Sequence, residues 1–226
     1  MEGLLLATRK QVLDTIRRAL GKVEVVAPVL EKGEVYFRKV DDPEAIMLDA
    51  PNPVNPLKSF LLPSREELLL FRVSGREVEV RPAPKPEGEL LVLGVRPCDL
   101  SGLSLLDKVF CQGEFIDDRY KVRREGTILW GFACTPRSIR PTCFCNWFGI
   151  GPGKKEGADI FSVNLGDGRM LLEPLTVRGA EFLSEFGPDL PEATDEDLSK
   201  AELVVKQAEG ALPEPPDIEE AVRRMA

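Results

Sequence analysis

The chain has 226 residues, of which 43% are hydrophobic and 30% charged, with a formal net charge of −8 at pH 7 and no histidine. This composition is ordinary for a globular protein. The acidic balance argues against nucleic acid as a partner, because phosphate binding needs a basic surface. Without histidine, the chain contains no Ser-His-Asp triad, no HExxH zinc site and no two-histidine iron site. Any bound metal must be held by thiolates or carboxylates.

The sequence shows neither a secretion signal nor a membrane span. The N-terminus lacks the basic start and long apolar run of a signal peptide. No segment reaches the about 20 consecutive apolar residues that cross a bilayer. We therefore expect a cytoplasmic protein whose five cysteines stay reduced. In such a chain, cysteines more often bind metal or take part in catalysis than form disulfides.

The first half of the chain is predicted to form one helix, followed by short strands and an irregular segment. The first helix is indicated by Val12, Leu13 and Ile16, which recur at helical spacing, and by Gly21, which stops it. In chain order, the predicted elements are a helix at 4–20, strands at 23–29 and 33–40, an irregular proline-rich segment at 41–63 and a β-hairpin at 67–82.

The second half contains two continuous apolar runs, which indicate strands buried on both faces. Leu100, Leu103 and Leu106 line one face of the helix between them, and Thr194 opens a capping box. The predicted elements are strands at 88–95 and 127–134, a helix ending near Phe110, a helical turn near 115–126, a hairpin at 159–175, and helices at 177–186, 194–210 and 217–226.

This order of elements predicts an α/β (or α+β) fold, in which a mixed sheet has flanking helices. We expect residues 1–190 to form one α/β domain, with a cysteine site at 94–153. Residues 191–226 are then a helical C-terminal extension.

Four of the five cysteines lie just after buried strands. Cys98 follows the first of these strands, Cys134 ends the next, and Cys143 and Cys145 lie in the loop beyond it. Neighbouring strands in a sheet are about 5 Å apart, so these cysteines are expected to converge. Four thiolates suit a tetrahedral zinc ion or an iron–sulfur cluster, and the spacing leaves both open. Cys111, at a helix end, is expected to be a small buried hydrophobe.

The charges near these cysteines favour an anionic centre. Arg96, Arg137 and Arg140 lie two or three residues from them, and the helix that begins near Cys98 points its positive end at the same place. A third interpretation is a thiol enzyme in which Cys98 has a lowered pKa. It lacks a histidine base.

The motifs "LGVRPCDLSGLSLLDKVF", "DDRYKVRRE", "CTP" and "CFCNWFGIGPGKKEGADI" resemble the N-terminal part of an iron–sulfur protein family. Its members include the beta subunit of archaeal sulfhydrogenases and an iron–sulfur subunit of anaerobic sulfite reductase. The resemblance is strongest from about Gly94 to Ile160. It implies that Cys98, Cys134, Cys143 and Cys145 are the family's cysteines and hold one [4Fe–4S] cluster. Cys111 has no counterpart.

The resemblance also implies redox partners, and it shows one difference between this sequence and the usual family pattern. Family members carry electrons between a flavin-containing partner and a catalytic partner. They usually continue into a ferredoxin-like domain with two further cysteine-rich motifs, whereas this chain has no Cys-x2-Cys. We therefore expect a one-cluster electron carrier without catalytic residues, which works with other redox subunits. The alternative is a structural zinc module with the same four cysteines.

Other features have ordinary interpretations beside functional ones. "GIGPGKK" at 149–155 has the residue types of a phosphate loop but lacks its Gly-Lys-Ser/Thr ending, so a turn beside the cysteines is preferred. The basic side of 117–125 could dock an acidic redox protein or be a solvated helix face. Trp130 and Trp147 are taken as core aromatics, with shielding of a cluster as the alternative.

Overall fold

The computed structural model describes residues 3–214 and residue 223. Within this part, nine strands are Leu5–Thr8 (β1), Glu24–Glu31 (β2), Glu34–Lys39 (β3), Leu69–Ser74 (β4), Glu77–Pro82 (β5), Leu90–Val95 (β6), Thr127–Phe132 (β7), Ile160–Asn164 (β8) and Arg169–Pro174 (β9). The α-helices are Arg9–Ala19 (α1), Pro97–Phe110 (α2), Asp118–Glu125 (α3), Val177–Phe186 (α4) and Asp195–Gly210 (α5). Short 3-10 helices lie at Pro43–Ala45, Leu57–Phe60 and Cys145–Phe148.

Seven of the described strands form one mixed sheet in the order β1-β9-β8-β7-β6-β2-β3. The central strands β8, β7, β6 and β2 are parallel, while β9 and β3 pair antiparallel beside them and β1 pairs antiparallel with β9. β4 and β5 form a separate antiparallel hairpin. The predicted mixed sheet with flanking helices, including a helix near the C-terminus, is confirmed. The helix predicted at 217–226 lies outside the described residues.

The sheet is packed on both faces. On one face, α1 and α4 share a core with the sheet, in which Ile16 lies with Trp130. On the other face, α2, α3 and α5 share a second core, in which Leu100 lies with Leu129. Leu129 and Trp130 are consecutive in β7 and point to opposite faces, as strand geometry requires. Of the helices in the described part, none has both the length and the apolar character needed to cross a membrane.

The first predicted helix begins later than expected. Residues 5–8 form β1, which pairs with β9, and α1 begins at Arg9 behind a capping box between Thr8 and Gln11. In β1, Leu5 packs into one core and Leu6 into the other. The apolar run therefore serves both faces of a sheet edge, and ladder hydrogen bonds replace the helical ones expected from periodicity.

A bulge ends β6 immediately before the cysteine site. Gly94 has a φ of 82°, in the left-handed region, and the register with β7 shifts between Leu93 and Val95. A Cβ at Gly94 would lie 2.8 Å from the Cγ of Pro28, closer than real side chains approach. Only glycine fits here without strain, and the bulge redirects the chain as it enters α2.

Candidate cysteine site

Four of the five cysteines converge at the C-terminal edge of the parallel strands. Cys98 is the second residue of α2, which follows β6, and Cys134 lies two residues beyond β7. Cys143 and Cys145 lie in the loop between β7 and β8. Cys98 interacts electrostatically with Cys134 and Cys145, and Cys143 interacts with both Cys134 and Cys145. The parallel arrangement of β6 and β7 thus places the thiols near one another.

The thiols converge without forming a closed single-ion site. Over residues 3–214 and 223, no three histidine, cysteine, aspartate or glutamate side chains form a group that could hold one metal ion.

The loop that carries Cys143 and Cys145 closes on itself. The N–H of Cys134 donates to the carbonyl oxygen of Pro152 at 2.9 Å, and the N–H of Ile150 donates to that of Cys145 at 3.1 Å. The "GIGPGKK" segment is therefore a turn that returns to the start of the loop. No α-helix follows it until α4, so it lacks the helix N-terminus of a phosphate cradle.

Backbone N–H groups face three of the four thiols. The N–H of Arg140 donates to the Sγ of Cys143 at 3.2 Å. The N–H groups of Asp99 and Asn146 lie beside Cys98 and Cys145 and oppose the rise that burial causes in the pKa of these two thiols. These donors belong to the backbone, so residue types did not predict them.

Ser138 lies beside Cys134 and was not predicted as a site residue. Its N–H and its hydroxyl each donate to the carbonyl oxygen of Thr135 at 2.9 Å, and its Oγ accepts from the N–H of Thr135 at 2.8 Å. These bonds close a turn with Pro136 inside it, and proline at this position is typical of such turns. The turn was therefore predictable from the sequence, whereas the closeness of Ser138 to Cys134 was not.

A buried arginine lies beside the thiols. Arg96 is 4% exposed, and its guanidinium donates to the carbonyl oxygens of Ala133, at 2.9 Å, and Ala50. Its Nε has no hydrogen-bond partner within the described residues. Burial lowers the pKa of Arg96, and the nearby Cys134 and Cys98 oppose this effect. A buried cation with an unused N–H is complementary to an anionic centre held by these cysteines.

Three of the thiols have a raised pKa and are therefore not activated nucleophiles: Cys98, Cys134 and Cys145. Burial, followed by the neighbouring Asp99 carboxylate, raises the pKa of Cys98 to about 12. Burial also raises the pKa of Cys134 and of Cys145. A thiol enzyme needs a cysteine with a lowered pKa, so these raised pKa values weigh against the thiol-enzyme interpretation. The thiols can instead ionise when a metal centre supplies positive charge.

Cys111 lies apart from this group. It caps the C-terminal end of α2, and about 20 Å of helix separates it from Cys98. Its charged neighbours are Asp107, Lys121 and Arg124, and it packs at the margin of the second core. Its predicted role as a small core residue therefore fits its position.

The two tryptophans have different environments. Trp130 is fully buried, and its Nε1 donates to the Oγ of Ser162 at 2.6 Å, as expected for a core residue. Trp147 is 46% exposed, so the expectation of a core residue is wrong here. Its ring centroid lies 5.7 Å from that of Phe144, which in turn lies 6.0 Å from Phe148. These three aromatic residues form an exposed cluster on the cysteine loop.

The basic side of α3 is neutralised inside the molecule. Arg119 and Arg123 both pair with Glu66, and Arg124 pairs with Asp107 at 3.1 Å. These ion pairs occupy three of the four cations that could have docked an acidic partner. The structure therefore favours a structural role for this helix face.

Comparison with known proteins shows that the chain is similar in sequence to a hydrogenase subunit. No protein-family model matches it. Sulfhydrogenase 2 subunit beta of Pyrococcus furiosus is 31% identical to it over 175 residues. The aligned region covers 77% of this chain and 49% of that protein, so the chain spans about half the length of this relative. Over the aligned region, the similarity supports a relationship between this chain and the sulfhydrogenase beta-subunit family.

Proposed function

We propose that the chain is an electron-transfer subunit that binds one [4Fe–4S] cluster through Cys98, Cys134, Cys143 and Cys145. The observation that carries this proposal is the convergence of four thiols beside the buried Arg96, whose Nε has no hydrogen-bond partner within the described residues. When bound, such a cluster stores and releases single electrons.

The residues around the cysteines would set the properties of that centre. Four thiolates make the site anionic, and the positive charge of Arg96 offsets part of this. The hydrogen bond from the N–H of Arg140 to Cys143, and the N–H groups of Asp99 and Asn146 beside Cys98 and Cys145, would draw electron density from the sulfurs. Both effects stabilise the reduced state more than the oxidised one, so they raise the reduction potential.

The chain would work inside a larger cytoplasmic redox complex. Its relative is a sulfhydrogenase subunit by name, which supports partner subunits for this chain too. We propose a complex of the hydrogenase, sulfite reductase or heterodisulfide reductase kind, with ferredoxin-like, flavin-containing or catalytic partners. In this proposal, residues 1–190 carry the cluster domain and 191–226 are its helical extension.

Metal and sulfide analysis tests the proposal. Anaerobically purified chain is analysed for iron, zinc and acid-labile sulfide, and its absorption spectrum is recorded before and after dithionite. We expect about four irons and four sulfides per chain, with visible absorption that bleaches on reduction. One zinc and no colour would replace the proposal with the structural four-cysteine zinc module.

A further inference from the structure

The cysteine loop is positively charged within an acidic protein. Residues 134–155 include Arg137, Arg140, Lys154 and Lys155 and no aspartate or glutamate, giving a formal charge of +4 in a chain of −8. Lys155 pairs with Glu173. The other three cations make no ion pair with any residue in the described part of the chain.

The same loop exposes large aromatic side chains. Phe144 is 54% exposed, Trp147 46% and Phe148 71%, although residues of this size are usually buried. Exposed apolar groups that occur together often mark interaction sites. Aromatic residues and arginine also supply much of the binding energy at protein interfaces. These six residues have in common that they lie on the cysteine loop, and we call the set the aromatic–cationic surface: Arg137, Arg140, Lys154, Phe144, Trp147 and Phe148.

This surface lies where electrons would enter or leave. Phe144 lies between Cys143 and Cys145, and the Arg140 N–H bonds the Cys143 thiol. A protein seated on the aromatic rings would therefore contact the segment that carries two of the proposed cluster ligands. By contrast, the three arginines of α3 are already paired with Glu66 and Asp107.

We infer that the aromatic–cationic surface docks an acidic electron-transfer protein whose carboxylates surround its own redox centre. This inference rests on the proposed function. Charge complementarity identifies the partner, because the three unpaired cations attract acidic groups and steer their approach. The aromatic rings then supply a dry contact at the centre of the interface. A cluster held by the four cysteines would take up one electron from the reduced partner, with no bond, proton or group transferred.

Binding measurements test the inference directly. The probe is a small acidic ferredoxin, titrated into the purified chain by calorimetry at low salt and at high salt. We expect affinity to fall steeply with salt. Arg137→Glu combined with Arg140→Glu should weaken binding at least about tenfold, and Phe148→Ala about fivefold. Lys154→Glu is a second charge variant in case the double variant folds poorly.

Matched controls lie on another part of the surface. Arg76, in the turn between β4 and β5, and Phe115, 84% exposed, are outside the cysteine loop. Arg76→Glu and Phe115→Ala should leave the affinity within about twofold of the unchanged chain. Loss of affinity in these controls equal to that in the loop variants would contradict the inference.

The outcomes separate the inference from the proposed function. Iron and sulfide content is measured for every variant, and binding is measured independently of it. A chain without iron that still binds ferredoxin through this surface refutes only the proposed function. A loaded chain that does not bind ferredoxin, or binds it without sensitivity to salt and to the loop substitutions, overturns the docking inference. Self-association through the aromatic rings, seen as a doubled mass that Phe148→Ala halves, also overturns it.

Discussion

Arg96 connects distant parts of the chain at the cysteine site. Its guanidinium bonds the carbonyl oxygens of Ala50 and Ala133, which belong to different segments. These two bonds fix the plane of the guanidinium group. The Nε–H has no partner within the described residues and can donate to another acceptor. The rigid fork of arginine suits this arrangement, and the single ammonium of lysine would not reproduce it.

At the residue scale, the cysteines make the most direct prediction. Cys143→Ser should lower bound iron markedly, because Cys143 belongs to the convergent group of thiols. Cys111→Ser should leave iron unchanged, because Cys111 lies at the far end of α2. Iron and sulfide are measured per chain after anaerobic purification. Equal iron in the two variants would refute the ligand assignment.

The bulge at Gly94 makes a second prediction at this scale. Gly166 also has a φ of 82°, but a Cβ there would meet no atom within 4 Å. Gly166→Ala should therefore lower the free energy of unfolding by about 1 kcal/mol through backbone strain alone. Gly94→Ala should cost about 1–3 kcal/mol more, since its Cβ also clashes with the Pro28 ring.

Urea unfolding of the two variants measures both free energies. The comparison bears on the clash, because both glycines have a φ of 82° and only Gly94 has an atom in the way of a Cβ. Equal destabilisation would show that the Pro28 ring moves aside without cost. Backbone strain alone would then be the reason for glycine at the end of β6.

At the element scale, Glu66 joins the start of the β4–β5 hairpin to α3. It lies just before β4 and forms ion pairs with Arg119 and Arg123 of α3. A hydrogen bond from Arg123, together with one from Arg119, holds the pKa of Glu66 below its ordinary value of 4.5 although burial opposes this. Because the folded pKa is depressed, the stabilisation is complete above pH 4.5 and is lost as pH falls through the folded pKa.

Glu66→Gln should lower the free energy of unfolding by about 1 kcal/mol at pH 7. The difference from the unchanged chain should shrink as pH is lowered from 4.5 toward 3. Urea unfolding across this range measures it, and Glu67→Gln, at an exposed neighbouring position, is the control. A difference that persists at pH 3 would mean that the charge of Glu66 is not what stabilises the contact.

Most elements could be predicted from the sequence because their signals are local. α5 begins at the predicted capping box, where Thr194 and Asp197 bond reciprocally. β1 could not be predicted, because its partner β9 is more than 150 residues away along the chain. The β4–β5 hairpin was predicted, yet its exposure was not: Phe71, opposite Val80, is 74% exposed.

At the scale of the whole molecule, topology accounts for what was predictable about the site. β6 and β7 are buried parallel neighbours, so Cys98 and Cys134 follow strand ends at one edge, as their apolar sequences indicated. The strand order itself could not be predicted from the sequence, because it depends on contacts between segments that are distant along the chain. The packing of Gly153 against Val205 of α5, where a Cβ would lie 2.9 Å from a methyl group, depends on the same long-range contacts.

The closure of the cysteine loop bears on damage and repair. The bonds from Cys134 to Pro152 and from Ile150 to Cys145 use protein atoms alone. Little further chain entropy is lost when ions enter a ring that is already closed. On the proposed function, a chain stripped of its iron by an oxidant keeps the backbone of the cysteine loop closed. Restoring it then requires only iron, sulfide and reductant, so one polypeptide can be refilled repeatedly rather than degraded and synthesised again.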